Sequence, residues 1–343
     1  MIGKIKEVII HGIGNKTFSG GMRLSKNEVV LTEKVNKSLN ASLSSAKFSD
    51  ACFQFFHESG ELRLNPMYVY VDRIFSNTDN FIETSCKIAI QLYESSEHPK
   101  IHAGELMVVL FENCEYKDKK CSALGLFKTE TRDTFFDFKY NDGSYSIIEQ
   151  EGLNFGGLEK GTIIYDLEKE NGYCINVIMR ANKQIDAKYW LNDFLHITQA
   201  SDSFYKTRQI ISLTRNYVKD VLSKDESVSR VGQTEILSRA ASYLTTNENF
   251  DKDAFCDEVF RDEKYKDDFH RYEREIVGES ANLLGPFELD RSLIKKKSRE
   301  LKSVIKLDKN FHIYVHGGDG LIKRGYDPDS GMAFYQLFFK EEE

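Results

Sequence analysis

The chain has 343 residues, 41% of them hydrophobic and 29% charged, which is enough apolar material for two cores and too much for a globally disordered chain. Its net charge of −7 excludes a uniformly basic nucleic-acid-binding domain, so any contact with DNA must use a local patch. The six cysteines form no Cys-x-x-Cys pair and fit reduced thiols, while the start lacks a signal-peptide pattern and no stretch nears the roughly 20 apolar residues of a membrane span; a cytoplasmic chain with no membrane part is expected.

Residues 5–11 read as a strand closed by Gly12 and Gly14. Val30, Leu31, Val35 and Leu39 recur at helical spacing and predict a helix over 27–42, with Asn27 as its cap. A second helix is predicted over 78–97, ended by His98-Pro99. Short strands follow at 105–111, 122–128, 134–139, 144–150, 161–166 and 173–180, with Asn141-Asp142-Gly143 and Glu170-Asn171-Gly172 as turns. This is the pattern of an antiparallel meander, not of alternating βαβ units. Beyond Ile185 the chain turns helical, with segments over 186–195, 201–223, 232–245, 251–261, 267–277 and, capped by Asp290, 290–301. Strands return at 303–307, 311–316, 321–325 and 332–339. The fold class is therefore α+β: an N-terminal antiparallel sheet with packed helices, then a helical region and a small C-terminal antiparallel sheet. The expected domains are 1–185 and 186–343.

Chemical motifs are sparse. Gly12-Ile13-Gly14-Asn15-Lys16-Thr17 leaves a strand and ends in Lys-Thr, but Asn15 stands where a phosphate loop needs glycine, so a tight turn is the better reading. His98 and His102 have metal-pair spacing, but Pro99 breaks the helix such a pair requires. Cys114 and Cys121 flank a charged turn and meet across a hairpin without the further ligands of a zinc site. His57-Glu58, the turn from His316 to Gly320, and the pair Asp327 and Asp329 are better explained as loop and turn residues. No catalytic residue, metal site or cofactor is expected, and the chain does not read as an enzyme.

Charge is segregated. Residues 247–280 hold twelve acids and six bases, whereas 290–309 is strongly basic. Lys295, Arg299 and Lys302 fall on one helical stripe, which Lys296 and Lys297 widen. Arg208, Arg215 and Lys219 fall on one face of another predicted helix. These eight side chains are the candidate nucleic-acid-binding residues, since lysine and arginine bind phosphates by releasing condensed counterions. Solvated helix faces, or a basic helix docked on the acidic segment, are the bland alternatives.

Several extended segments resemble the bacterial nucleoid-associated NdpA-like family, in particular its Bacteroidetes-type branch. They are Val8-Ile9-Ile10-His11; Leu158-Glu159-Lys160-Gly161 through Ile164; Glu170-Asn171-Gly172-Tyr173; Ala187-Lys188-Tyr189-Trp190-Leu191-Asn192-Asp193-Phe194-Leu195; and Lys323-Arg324-Gly325-Tyr326-Asp327 with Gly331-Met332. The resemblance implies a two-part α+β protein of the cytoplasm, located at the nucleoid and associated with DNA, with no catalytic motif to carry over. Duplex DNA is the expected partner, bound without strong sequence preference, together with a homodimer that presents two patches. Recruitment through a chromosome-bound nucleoid protein is the alternative.

Overall fold

The computed structural model describes residues 2–153, 158, 160–178, 188–277, 285–297, 303–307, 311–315 and 321–341. The chain divides into two compact units, Met1–Ala200 and Ser201–Glu343. The architecture is α+β, as the sequence predicts: an eight-stranded N-terminal antiparallel sheet, then helices, then small antiparallel pairs.

The sheet of the first unit is built on β1 (Lys4–Ile13), β4 (Gly104–Tyr116), β5 (Lys119–Thr129), β8 (Lys160–Tyr165) and β9 (Cys174–Val177). Short strands β2 (Met22–Arg23), β3 (Phe53–Phe55) and β10 (Ile197–Gln199) complete the order β10-β3-β9-β8-β5-β4-β1-β2. Because β10 pairs with β3, residues 188–200 stay with the first unit. Both faces of the sheet are covered, which is why β4 is apolar from Leu106 through Phe111 with every residue buried. On one face Val8, Val109 and Phe127 pack with Leu43 and Leu39 of α1 (Glu33–Ser44). On the other, β1 lies against α3 (Phe81–Glu94), which follows α2 (Pro66–Ser76).

The local chemistry explains where the elements differ from expectation. The first helix starts at Glu33 with the Thr32 hydroxyl accepting from the Val35 amide, not at Asn27. Val29 donates instead to the Val8 carbonyl, and Val30 is 96% exposed. α2 was not apparent from periodicity, yet its cap is strong. Buried Asn65 accepts from the amides of Met67 and Tyr68 and donates to the carbonyls of Phe56 and His196, and Pro66 occupies the first turn. The segment around the lone tryptophan is a π-type helix, Lys188–Phe194, rather than an α-helix; the Leu195 amide donates to Trp190 O. Cys114 and Cys121 do face each other across β4 and β5, both as free thiols.

β6 (Asp133–Asn141) and β7 (Ser144–Gly152) form a ribbon whose ladder is separate from the main sheet.

The second unit comprises α4 (Ser203–Asp220), α5 (Arg230–Thr246), α6 (Lys252–Phe260), α7 (Glu263–Val277) and α8 (Arg291–Lys297). Strands β11 (Asn249–Phe250) and β12 (Phe287–Glu288) pair, as do β13 (Ser303–Leu307) with β14 (Phe311–Val315) and β15 (Ile322–Asp327) with β16 (Met332–Leu337). Its core is strongly aromatic: Tyr217, Phe260 and Phe269 meet at centroid distances of 4.7–5.5 Å, and Phe250 packs on Phe255 and Phe287. Asp202, Ser229, Asp251 and Asp290 cap α4, α5, α6 and α8 through their side chains. Among the described residues no helix is long and apolar enough to cross a membrane.

Candidate nucleic-acid interface

α4 buries Phe204, Thr207, Ile210, Ile211, Thr214 and Tyr217 along one stripe. Helical geometry then turns Arg208, Arg215 and Lys219 outward together, and all three are exposed. The outer two lie eleven positions apart, about 16 Å along the axis. α8 packs beside the start of α4: the Asp290 amide donates to the buried Thr207 hydroxyl at 3.0 Å, and Arg291 donates to the Thr245 carbonyl at 2.6 Å. The Asp290 carboxylate caps α8 by accepting from the Leu293 amide at 2.8 Å. Leu293 and Ile294 enter the core, so Lys295 and Lys296 face solvent and Lys297 is half-buried at the margin. Arg208 follows Thr207 in the chain, and this joint seats the start of α8 beside that part of α4. Lys206 adds a further cation beside it, with its ammonium 5.7 Å from the Phe287 ring centre. Arg299 and Lys302 lie outside the described residues.

Within the acidic stretch, Lys266 bridges Asp257 and Glu263, Lys252 reaches the buried Glu273, and Arg271 meets Asp268 at 3.4 Å. Lys264 pairs with Asp225 at 2.8 Å.

The other sequence motifs resolve into structure. Gly14 ends β1 in a tight turn; its amide donates to Gly21 O, and a Cβ there would sit 2.5 Å from the backbone of Gly20. Asn15 is buried, donating to the carbonyls of His98 and Ile101 and accepting from the Thr17 amide. Lys16, the would-be phosphate lysine, is held by Glu94 at 2.6 Å and Glu97 at 3.1 Å. A cavity of about 690 Å³ borders this turn, with Arg23 and Arg132 on its wall; Arg132 is engaged by Glu105 at 2.7 Å. His57 closes an exposed turn with Ser59, and Asp327 accepts from the Asp329 amide and the Ser330 hydroxyl. The turn from His316 to Gly320 lies outside the described residues.

Two groups were invisible in the sequence. Lys128, Glu130 and Lys160 form a buried ionic cluster, with both ammonium groups 2.8 Å from the same carboxylate. Burial pushes the Glu130 carboxyl up, but the two neighbouring lysines outweigh it and hold the group below the ordinary carboxylate value. Lys128 also donates to the Tyr189 hydroxyl at 3.3 Å and the His102 carbonyl at 3.0 Å, and Tyr189 bonds Ser96 at 2.9 Å. Trp190 donates to the buried Thr162 hydroxyl at 2.8 Å. The second group is His11. Its Nδ1 accepts from the Ser25 amide, which leaves Nε2 protonated toward the Ser85 hydroxyl, each at 3.1 Å. Burial lowers its pKa to about 4.

Two of the segments quoted for the family resemblance meet at one structural joint. Lys160 and Thr162 come from one of them, Tyr189 and Trp190 from another. The turn before Tyr173 docks on β3, where the Phe55 amide donates to Gly172 O at 2.8 Å. Tyr173 in turn donates to Asp72 of α2 at 2.9 Å.

The family model described as nucleoid-associated protein YejK matches residues 9–330. No curated protein matches the chain. The match runs through both compact units and takes in the joint, both basic helices and the C-terminal strands as far as β15: the chain belongs to the YejK family of nucleoid-associated proteins.

Proposed function

We propose that this protein works at the nucleoid, in the cytoplasm, by binding duplex DNA without strong sequence preference. Arg208, Arg215 and Lys219 of α4 and Lys295, Lys296 and Lys297 of α8 are the phosphate-contacting residues, and Arg299 and Lys302 extend the same basic run in sequence. The observation that carries the reading is the packing of α8 on Thr207. It joins two helices that each turn cations to solvent, so a chain of net charge −7 gains a local positive surface. Nothing in this arrangement selects a base. Backbone contact of this kind positions a protein on DNA and binds by counterion release. No catalytic step and no cofactor belong to the reading.

The test is binding of a labelled duplex of random sequence to the whole protein across a salt series. Binding that falls steeply with salt and is insensitive to sequence supports the proposal. A protein that fails to bind at low salt, yet is retained by a chromosomal protein after nuclease treatment, would be recruited indirectly.

A further inference from the structure

The first unit holds a cavity of about 690 Å³ that the DNA reading does not use. It lies where β1, β2 and the start of β4 meet the residues that follow β5. Charge, backbone and size point the same way. Arg23 and Arg132 both line it. Arg23 is exposed, and among the described residues it pairs with no carboxylate. The register sets it opposite Gly12, and opposed residues share a face of the sheet. A Cβ on Gly12 would lie 3.1 Å from Arg23 Nε, so glycine there gives the guanidinium room to lie across β1. Arg132 is fixed by its ion pair with Glu105, whose carboxylate also accepts from the Thr129 hydroxyl at 3.2 Å. The other acid in the wall, Glu130, is buried and engaged by Lys128 and Lys160. Both acids of the wall are thus answered by cations and leave the cavity open to an anion.

The turn between β1 and β2 brings Gly14, Gly20 and Gly21 to the wall. A Cβ on Gly14 or Gly20 would come within 3.0 Å of backbone, so the turn's own packing accounts for both. Gly21 is different. A Cβ there would meet no atom within 4 Å, and its backbone lies outside the left-handed region. The fold does not require glycine at 21, and the missing side chain leaves space at the cavity wall. The volume falls within the roughly 300–1,000 Å³ of small-molecule sites, and Met22 and Ala103 join the arginines in the lining.

We propose that this cavity binds a small phosphate-bearing molecule of mononucleotide size, its phosphates held by Arg23 and Arg132 and its ring laid against Met22 and Ala103. Guanidinium groups suit phosphate because they donate two parallel, charge-assisted hydrogen bonds. The site is not a phosphate loop: Lys16 is held by Glu94 and Glu97, and the arginines supply the charge. The inference goes beyond the DNA reading, since it concerns the first unit and uses none of the α4 or α8 cations.

The experiment is calorimetric titration of the full chain with ADP, inorganic pyrophosphate and adenosine. ADP should bind one to a chain, pyrophosphate more weakly, and adenosine at least about 10-fold more weakly than ADP, because the charge-assisted bonds go to phosphate. Arg23→Gln and Gly21→Leu, made separately, should each weaken ADP binding at least about 10-fold while melting as wild type does. The triple variant Arg208→Glu, Lys295→Glu, Lys296→Glu should bind ADP as wild type does, which separates this site from the proposed DNA surface. Hydrogen exchange gives a readout free of substitution: ADP should protect amides of residues 12–23 and 130–132. A wild type that does not bind ADP, adenosine binding as tight as ADP, wild-type affinity in either folded variant, or protection confined to α4 and α8 would each overturn the proposal. Displacement of ADP by a blunt duplex with 5′-phosphates, but not by the same duplex without them, would assign the site to strand ends and overturn it too.

Discussion

His11 is a buried imidazole locked neutral by one acceptor and one donor contact. Its pKa in the fold, about 4, lies below its ordinary 6.5. Below 6.5 the unfolded chain therefore takes up a proton that the folded chain refuses, and stability falls with pH. The full effect is present by about pH 4, where it amounts to about 3 kcal/mol. Thermal melts between pH 7 and pH 4 should show this loss, and His11→Gln should flatten the profile over that window; a wild-type curve flat from 6.5 to 4 contradicts the assignment. Glu130 acts lower. Its folded pKa is below the ordinary 4.5, so the stability it supplies is intact above 4.5 and is lost as pH falls through the folded value. Glu130→Gln leaves Lys128 and Lys160 buried without that carboxylate and should cost about 3–5 kcal/mol at neutral pH, measured by denaturant unfolding. A cost below about 1 kcal/mol would mean that the cluster is more hydrated than its burial implies.

At the scale of elements, the turn from Glu168 to Tyr173 shows how local chemistry fixes topology. Gly172 has φ +91°, and a Cβ there would lie 2.3 Å from the Phe55 carbonyl. Gly172→Ala should therefore cost about 3 kcal/mol, from left-handed backbone strain together with the clash, and should loosen β3 from β9. Hydrogen exchange at Phe55, whose amide donates to Gly172, reports it directly; unchanged protection would refute the docking. The Asn-Gly turn itself was legible in the sequence, as were β4, β5, α3 and the cap at Asp290, because each rests on contiguous residues. β3 and β10 were not, since three-residue strands carry no period and exist only through pairing, β10 with β3 and β3 with β9. The buried ionic cluster was hidden for a related reason: Lys128 and Lys160 are ordinary polar residues in sequence and become a unit only when β5 pairs β8 in the register Lys128↔Lys160.

At the scale of the molecule, the family signature and the proposed binding surface are different things. The segments of the first unit that carry the family resemblance build its interior, through Trp190 on Thr162, Tyr189 under Lys128 and Tyr173 on Asp72. The basic residues sit on outward helix faces of the second unit, where helical periodicity alone made their common orientation legible. The joining of α4 to α8 through Thr207 was not legible, because it depends on a tertiary hydrogen bond across 83 positions. The central claim is that this joined surface holds the phosphate backbone. The most direct measurement is fluorescence anisotropy of a labelled random duplex, titrated with wild type and with the triple variant Arg208→Glu, Lys295→Glu, Lys296→Glu at several salt concentrations. The account predicts that wild type binds with log affinity falling linearly in log salt, that the variant binds at least about 10-fold more weakly, and that its slope is shallower by about 2–3, near 0.9 for each phosphate that is no longer neutralised. A variant with wild-type affinity and slope, or a wild type that does not bind at low salt, contradicts it.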